Sequence, residues 1–327
     1  MARKSSASPL DRLRALVGQL SSDECLALRP LLAARESAVE ADMVGAQRRS
    51  AILDCPHCHA ASFTKHGKCR LGEQRFLCKA CKKTFTHMTT SALKGLHLKD
   101  KHFENVRRML EGLSVRRVAE SIGVDKNTAF RWRHKFLRAI IENGPTQLGA
   151  IVEVDETYFK RSYKGRKLPR GTRPRSSGGR AKKRGLSRKY QVAVLVARSR
   201  DPVLTFTAVL PRANTDCIDK VLSPLLAPGT VLCSDGAAMY PKLAAHHGLE
   251  HHAIPAYKRN ARPKRRTDSL YNIQSMNAYT RDLKDWMIPF RGVSTHHLPS
   301  YLAWHRLLKG TKEQPTAREF FLKSHGS

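Results

Sequence analysis

Apolar and polar positions change period several times along this chain, and the changes mark its elements. In the second half, Ile151-Val152-Glu153-Val154-Asp155 alternates with period two, and Tyr190 to Ala197, Val203 to Leu210 and Thr230 to Ser234 are short apolar runs. All four read as strands, with Arg198 to Pro202 as a hairpin between the second and third. Asn214 to Leu226, the stretch after Gly236 through His246, and Tyr271 to Met287 read as helices. Upstream, residues 8–50 look helical, with Leu10, Leu13, Leu16, Val17 and Leu20 forming a stripe. Pro30 is expected to break or kink the second helix of that region, because it lacks an N–H and its ring crowds the preceding turn.

Two of the strands carry acids. Period-two alternation sends Glu153 and Asp155 to one side of their strand and Val152 and Val154 to the other. Buried carboxylates are costly unless a cation or donor meets them, so the segment is either an edge strand with a solvated acidic face or part of a site. The short strand at 230–234 delivers Asp235 at its C-terminal end, followed by Gly236. Asp-Gly is a common turn dipeptide, and its interest lies in the pairing with Asp155. The order β–β–β–α–β–α, with one Asp on the first strand and one after the fourth, matches an α/β ribonuclease-H-like core. The helix at 271–287 places Asn277 and Lys284 seven residues, about two turns, apart on one side.

Charge narrows the partner. Against 27 Asp+Glu there are 60 Lys+Arg, a net charge of +33 in a chain that is 41% hydrophobic. A chain able to build a core and this basic is expected to bind polyanions, nucleic acid first and an anionic membrane surface second. No run approaches the roughly 20 apolar residues of a membrane span, and the N-terminus shows no long apolar stretch or clear cleavage site. The expectation is a soluble intracellular protein. Residues 160–189 hold fourteen Lys or Arg and no acid; such an insert lacks the material for a core and is expected to order on DNA. Lys258 to Arg266 reads as another DNA-facing loop.

Cysteine spacing adds a metal. Cys55-Pro56-His57-Cys58 and Cys78-Lys79-Ala80-Cys81 form two knuckles, a pattern for tetrahedral zinc rather than disulfides. With strands expected at Arg70 to Leu77 and Lys82 to Phe85, this outlines a zinc ribbon; Cys69, His57, His59 and His66 lie near but are not needed. Residues 114–137 resemble a helix-turn-helix. Val115, Val118, Ala119 and Ile122 line the first helix, Gly123 permits the turn, and Val124 plugs the core. The second helix, from Asp125 through Leu137, exposes Lys126, Asn127, Thr128 and Arg131 toward phosphates or base edges. The doublets His246-His247, His251-His252 and His296-His297 suggest metal, but adjacent residues diverge on a helix or strand, and no site is expected there.

These pieces together resemble a bacterial insertion-sequence transposase of the DDE superfamily, and more narrowly the insertion-sequence 1595 family. The matching stretches are CPHC and CKAC, VEVDETYF around Asp155, SDGAAMY around Asp235, and MNAYTRDLKDWM around Asn277 and Lys284. The resemblance implies that Asp155, Asp235 and Asn277 hold Mg2+ or Mn2+, and that Lys284 sits against a DNA phosphate. At 277 a glutamate is usual in the superfamily; the amide oxygen still ligates but brings no charge and cannot act as a base. The implied reaction is Mg-dependent cleavage at terminal inverted repeats followed by strand transfer into target DNA. The implied partners are double-stranded DNA, at transposon ends and target, and further copies of the chain in a synaptic oligomer; no membrane or small-molecule substrate is implied. The implied location is a bacterial cytoplasm, associated with the nucleoid. The domain plan is a helical segment at 1–50, a zinc ribbon at 51–92, a helix-turn-helix at 100–143, a catalytic domain at 150–310 with its insert at 160–189, and a tail at 311–327. A non-catalytic DNA-binding regulator and a metal-dependent nuclease are the alternatives.

Overall fold

Two knuckles of cysteine and three phenylalanines organise the first sheet. A computed structural model describes residues 8–70, 72–92, 94–96, 98, 100–141, 144–171, 190–254 and 270–323. The part of the basic insert at 172–189 and the run Lys258 to Arg266 lie outside the described residues. Helices α1 (Pro9–Val17) and α2 (Ser22–Ser50) come first, each opened by a serine capping box, Ser8 with Asp11 and Ser21 with Glu24. Of the break or kink expected at Pro30, the break does not occur: α2 is continuous through that residue. It lies in the solvent-exposed half of the helix, between exposed Leu26 and Leu31, where water can satisfy the carbonyl its missing N–H leaves free. The leucine stripe of α1 stays exposed at Leu10, Leu13 and Leu16.

Strands β1 (Phe63–Lys68), β2 (Gln74–Cys78) and β3 (Thr84–Phe85) form an antiparallel ribbon in that order. Phe63, Phe76 and Phe85 pack ring to ring inside it. The helix-turn-helix follows as α3 (Asp100–Leu110), α4 (Val115–Ile122) and α5 (Lys126–Ile141). Ser114 caps α4, and Gly123 ends it in the left-handed region at φ 63°, where a Cβ would be strained.

The larger sheet comprises β4 (Ile151–Lys160), β5 (Gln191–Arg200), β6 (Val203–Leu210), then, after α6 (Thr215–Leu222), β7 (Val231–Ser234), α7 (Met239–His247) and β8 (Glu250–Ala253). Its spatial order is β6-β5-β4-β7-β8. The first three strands are antiparallel, and β4, β7 and β8 run parallel. Numbered along the sheet-forming chain this is 3-2-1-4-5, the ribonuclease-H-like arrangement, so β4 is central rather than an edge. Alternation then assigns the faces. Val152, Val154, Leu195 and Leu232 pack on Ile218 and Leu222 of α6 and Tyr240 and Leu243 of α7. Val192, Val194, Val196 and Cys233 pack on Met276, Tyr279 and Leu283 of α8 (Gln274–Met287) and on Leu298 and Leu302 of α9 (Leu298–Lys309). Helix α9 has a second face: Tyr301, Trp304 and Leu308 join Trp132, Phe136 and Ile140 of α5, and Phe320 and Phe321 of α10 (Ala317–Lys323) close the same core. The segment read as a tail thus packs under the helix-turn-helix. No described helix is long and apolar enough to cross a membrane.

Candidate active site

Register brings the two aspartates together. In the parallel pair β4–β7, Val154 lies opposite Ser234, so Asp155 and Asp235 each occupy the next position on strands that run side by side about 4.8 Å apart. Asp235 is held by a tight turn: its Oδ1 accepts from the Ala237 N–H at 2.9 Å, and Gly236 takes φ 86°. Ser234 Oγ accepts from the Gly236 N–H at 3.2 Å and pairs with His251 Nε2 at 2.9 Å, tying the turn to β8. Asp155 Oδ1 accepts from the Glu156 N–H at 2.7 Å.

Burial pushes the Asp155 carboxyl up to about 6; the Glu156 N–H draws it down, Asp235 pushes it further up and Lys284 lowers it. Glu156 is pushed up to about 7, chiefly by burial, with Tyr240 opposing and Asp155 and Asp235 adding to the rise. The Tyr240 hydroxyl donates to Glu156 Oε1. Three acids therefore feel one another where the middle of β4 lies beside the C-terminal end of β7. Repulsion of this kind is relieved by a proton or a cation.

Glu153 has another task. Its side chain is wholly buried; Oε1 accepts from Arg200 Nε at 2.7 Å, and Oε2 accepts from the Met276 N–H at 2.9 Å. Arg200 also donates to the carbonyls of Asn272, at 3.0 Å, and Leu270. The N-cap of α8, Ile273, offers no side-chain acceptor; Asn272 Oδ1 takes the Gln274 N–H at 3.1 Å, and Glu153 takes that of Met276 and adds the negative charge a helix N-terminus favours. Asn277 follows Met276 directly, and the turn that carries it is thereby bonded to β4 two residues before Asp155. Asn277 and Lys284 are both on the exposed part of α8. Lys284 also lines an open pocket of about 350 Å³ with Tyr158, Phe159 and Lys160, where β4 runs on past Asp155. Glu153→Ala should cost about 3–5 kcal/mol, the range for removing one partner of a buried ion pair, measured by urea unfolding. An unchanged midpoint would show that Arg200 needs no partner there.

The sequence reading placed Glu153 on the same side as Asp155, which the structure bears out, but Arg200 and Tyr240 escaped it. Their partners lie 47 and 84 residues away. The only local hint for Tyr240 is its place in the SDGAAMY run.

The ribbon brings its four cysteines to one point. Cys55 Sγ and Cys81 Sγ are 3.7 Å apart, and Cys58 Sγ and Cys78 Sγ 3.6 Å. A tetrahedron of Zn–S bonds near 2.3 Å has edges of about 3.8 Å, so the set fits zinc. Cys69 and the neighbouring histidines stay outside the cluster. In the helix-turn-helix, Lys126, Asn127 and Arg131 are exposed and Thr128 is half-buried. Asp125 Oδ1 accepts from the Asn127 N–H at 2.8 Å and opens α5.

Comparisons with known proteins agree with this arrangement. Residues 147–304 match the ISXO2-like transposase domain, and residues 50–82 match the InsA N-terminal domain. A protein of the transposable element ISH50 in Halobacterium salinarum is 25% identical over 267 residues, spanning 80% of this chain and 86% of that protein. Among solved structures, a chain of the simian T-cell lymphotropic virus intasome in complex with PP2A regulatory subunit B56 gamma overlaps 65% of this chain and 72% of its own length, at 11% identity and a TM-score of 0.31. The Mos1 strand transfer complex overlaps 63% of this chain and 74% of its own, at 13% identity and a TM-score of 0.23. These overlaps are loose, and the strand order of the sheet carries the fold assignment. Residues 50–82 thus match an InsA-like zinc ribbon, and residues 147–304 match a DDE-type transposase domain of the ISXO2-like, insertion-sequence 1595 family.

Proposed function

We propose that the chain binds the ends of its own mobile element and exchanges phosphodiester bonds there, cleaving at the element's end and joining the freed 3′-hydroxyl to target DNA. The observation that carries the reading is the register: Asp155 and Asp235 follow the paired residues Val154 and Ser234 on adjacent parallel strands. Two carboxylates plus the Asn277 amide oxygen make an all-oxygen donor set suited to Mg2+ or Mn2+, and the mutual repulsion of the acids fits a cation between them. When bound, the ion supplies Lewis acidity to the phosphoryl group and acidifies the attacking hydroxyl. Asp155 and Asp235 orient that hydroxyl relative to the scissile bond. Asn277 adds a neutral ligand and takes up no proton. Lys284 and Lys160 face the open pocket, where they would hold a DNA phosphate, and the exposed Lys126, Asn127 and Arg131, with Thr128 beside them, would read the element's end. Synapsis of two ends calls for more than one copy of the chain.

Asn277 in place of an acid also favours a second reading, a DNA-binding regulator that no longer cuts. A supercoiled plasmid carrying the gene's native flanks separates the two. With Mg2+ or Mn2+, the transposase gives mapped 3′-ends at the flanks and joined products; a regulator gives specific binding and intact DNA.

The pKa directions set a pH dependence. Both Asp155 and Glu156 stand above their ordinary values. The metal-free fold therefore loses their contribution as pH rises from the ordinary carboxylate range through about 6 to 7, and the loss is complete above. A cation binds the ionised forms and competes with protons. Mn2+ at about ten times its dissociation constant should raise the melting temperature by about 2 °C at pH 8. At pH 5.5, where Asp155 is mostly protonated, the rise should fall to about half, and Asp155→Asn should lose the response at pH 8. An equal rise at both pH values would contradict this.

A further inference from the structure

A second metal-ligating cluster lies on the opposite face of the sheet from α8. Among the described residues, Asp219 of α6 and His246 and His247 at the end of α7 place one ligand atom each within 4.8 Å of one another. Asp219 Oδ1 lies 2.6 Å from His247 Nε2, and Oδ2 lies 3.6 Å from His246 Nδ1. We propose that Asp219, His246 and His247 form a transition-metal site for Zn2+ or another borderline divalent ion, separate from both the cysteine cluster and the aspartate pair.

The sequence argument against this doublet was that adjacent histidines diverge on a helix. They do diverge, but they present different nitrogens. His246 uses Nδ1, close to the backbone, and His247 uses Nε2, at the far end of its ring, so rings 4.7 Å apart and inclined at 62° reach one carboxylate. Zinc bonds of 2.0–2.2 Å at tetrahedral angles put ligand atoms about 3.4 Å apart, so His246 Nδ1 already stands near ligand spacing from Asp219 Oδ2, and the 2.6 Å hydrogen bond from His247 would open as the ion enters. Two imidazoles and one carboxylate are borderline ligands that prefer Zn2+, Ni2+ or Cu2+ to Mg2+. Both histidines lie in the last turn of α7, before Gly248 ends it in the left-handed region, and a helix C-terminus favours a cation. His246 is largely exposed, with 72% of its side chain accessible, which leaves the ion an entry path and room for water as a further ligand. A hydrogen bond accounts for His247 alone; what points to the ion is that His246 Nδ1, 3.6 Å from Asp219 Oδ2 and outside hydrogen-bond range, converges on the same carboxylate.

The consequence is a staple. The ion would join α6 to α7, and α7 carries Tyr240, whose hydroxyl bonds Glu156 beside Asp155. The test uses the full chain with its ribbon loaded, in excess Mg2+ to occupy the aspartate pair. Bound zinc is counted after Zn2+ addition and desalting. Two ions per chain are expected in the wild type and one in the double variant His246→Ala/His247→Ala and in Asp219→Asn. Co2+ substitution should show sulfur-to-metal charge transfer for the first ion only. One ion per chain in the wild type, or two that survive in both variants, would overturn the proposal. Far-ultraviolet circular dichroism of the variants establishes that they fold.

Discussion

Asp155→Ala and Asp235→Ala are each expected to reduce cleavage and joining on the order of 10³-fold or more while leaving binding to the element's ends intact. The magnitude follows from the several kcal/mol that a Lewis acid contributes, at about 1.4 kcal/mol per tenfold in rate. Binding survives because Lys126, Asn127 and Arg131 lie on α5, whose core is built with α3, α4, α9 and α10 rather than on the aspartates. Neither aspartate is fully buried, and both carry repulsion that alanine removes, so neither variant should unfold. Plasmid cleavage and filter binding on the same preparations check this; loss of both together would mean that the substitutions act on the fold.

Removing zinc is expected to have the other large effect. Among the described residues, the ribbon's core is Cys55, Cys78 and Phe85, edged by Phe63, Phe76, Ile52, Ala60 and Cys81. A module this small cannot stand on apolar burial alone, and structural zinc contributes about 10 kcal/mol or more in comparable small folds. Chelation at neutral pH should therefore abolish amide protection across Phe76, Leu77 and Cys78, and leave the central strands β4 and β5 protected. The same follows for Cys78→Ser, whose thiol is fully buried. The ribbon is tied to α2 through Glu73, which pairs with Arg49 at 3.7 Å, and through the His87 carbonyl, which accepts from Arg48 Nε at 3.0 Å. Its loss is thus expected to weaken end binding as well. Unchanged exchange in the presence of chelator would show that the cysteines need no ion.

What could be read in the chain was whatever local spacing encodes. The cysteine pairs, the Gly123 turn, the alternation in β4 and the apolar run of β5 need no distant partner to be recognised, and each stands where spacing put it. So does the Asp235-Gly236 turn, because a left-handed glycine after a strand leaves the aspartate at its tip. The misses share a cause. Strands β1 and β8, Phe63 to Lys68 and Glu250 to Ala253, are edge strands almost without apolar residues, so no period marks them. Glu153 looked like a possible ligand because Arg200, its cation, is far away in sequence. The break allowed for at Pro30 does not occur, because Pro30 sits in an exposed stretch of helix. The packing of Phe320 and Phe321 beneath α3 and α5 is a long-range contact that the reading of a tail could not contain.

Metal ligation by the aspartate pair is tested most directly by changing the softness of one ligand. Asp235→Cys replaces a hard oxygen by sulfur, which Mg2+ accepts poorly and Mn2+ tolerates better. In the plasmid assay, the variant should be inactive with Mg2+ and regain measurable cleavage with Mn2+, while the wild type works with both. Equal loss in the two metals, with end binding intact, would contradict the assignment of Asp235 as a ligand.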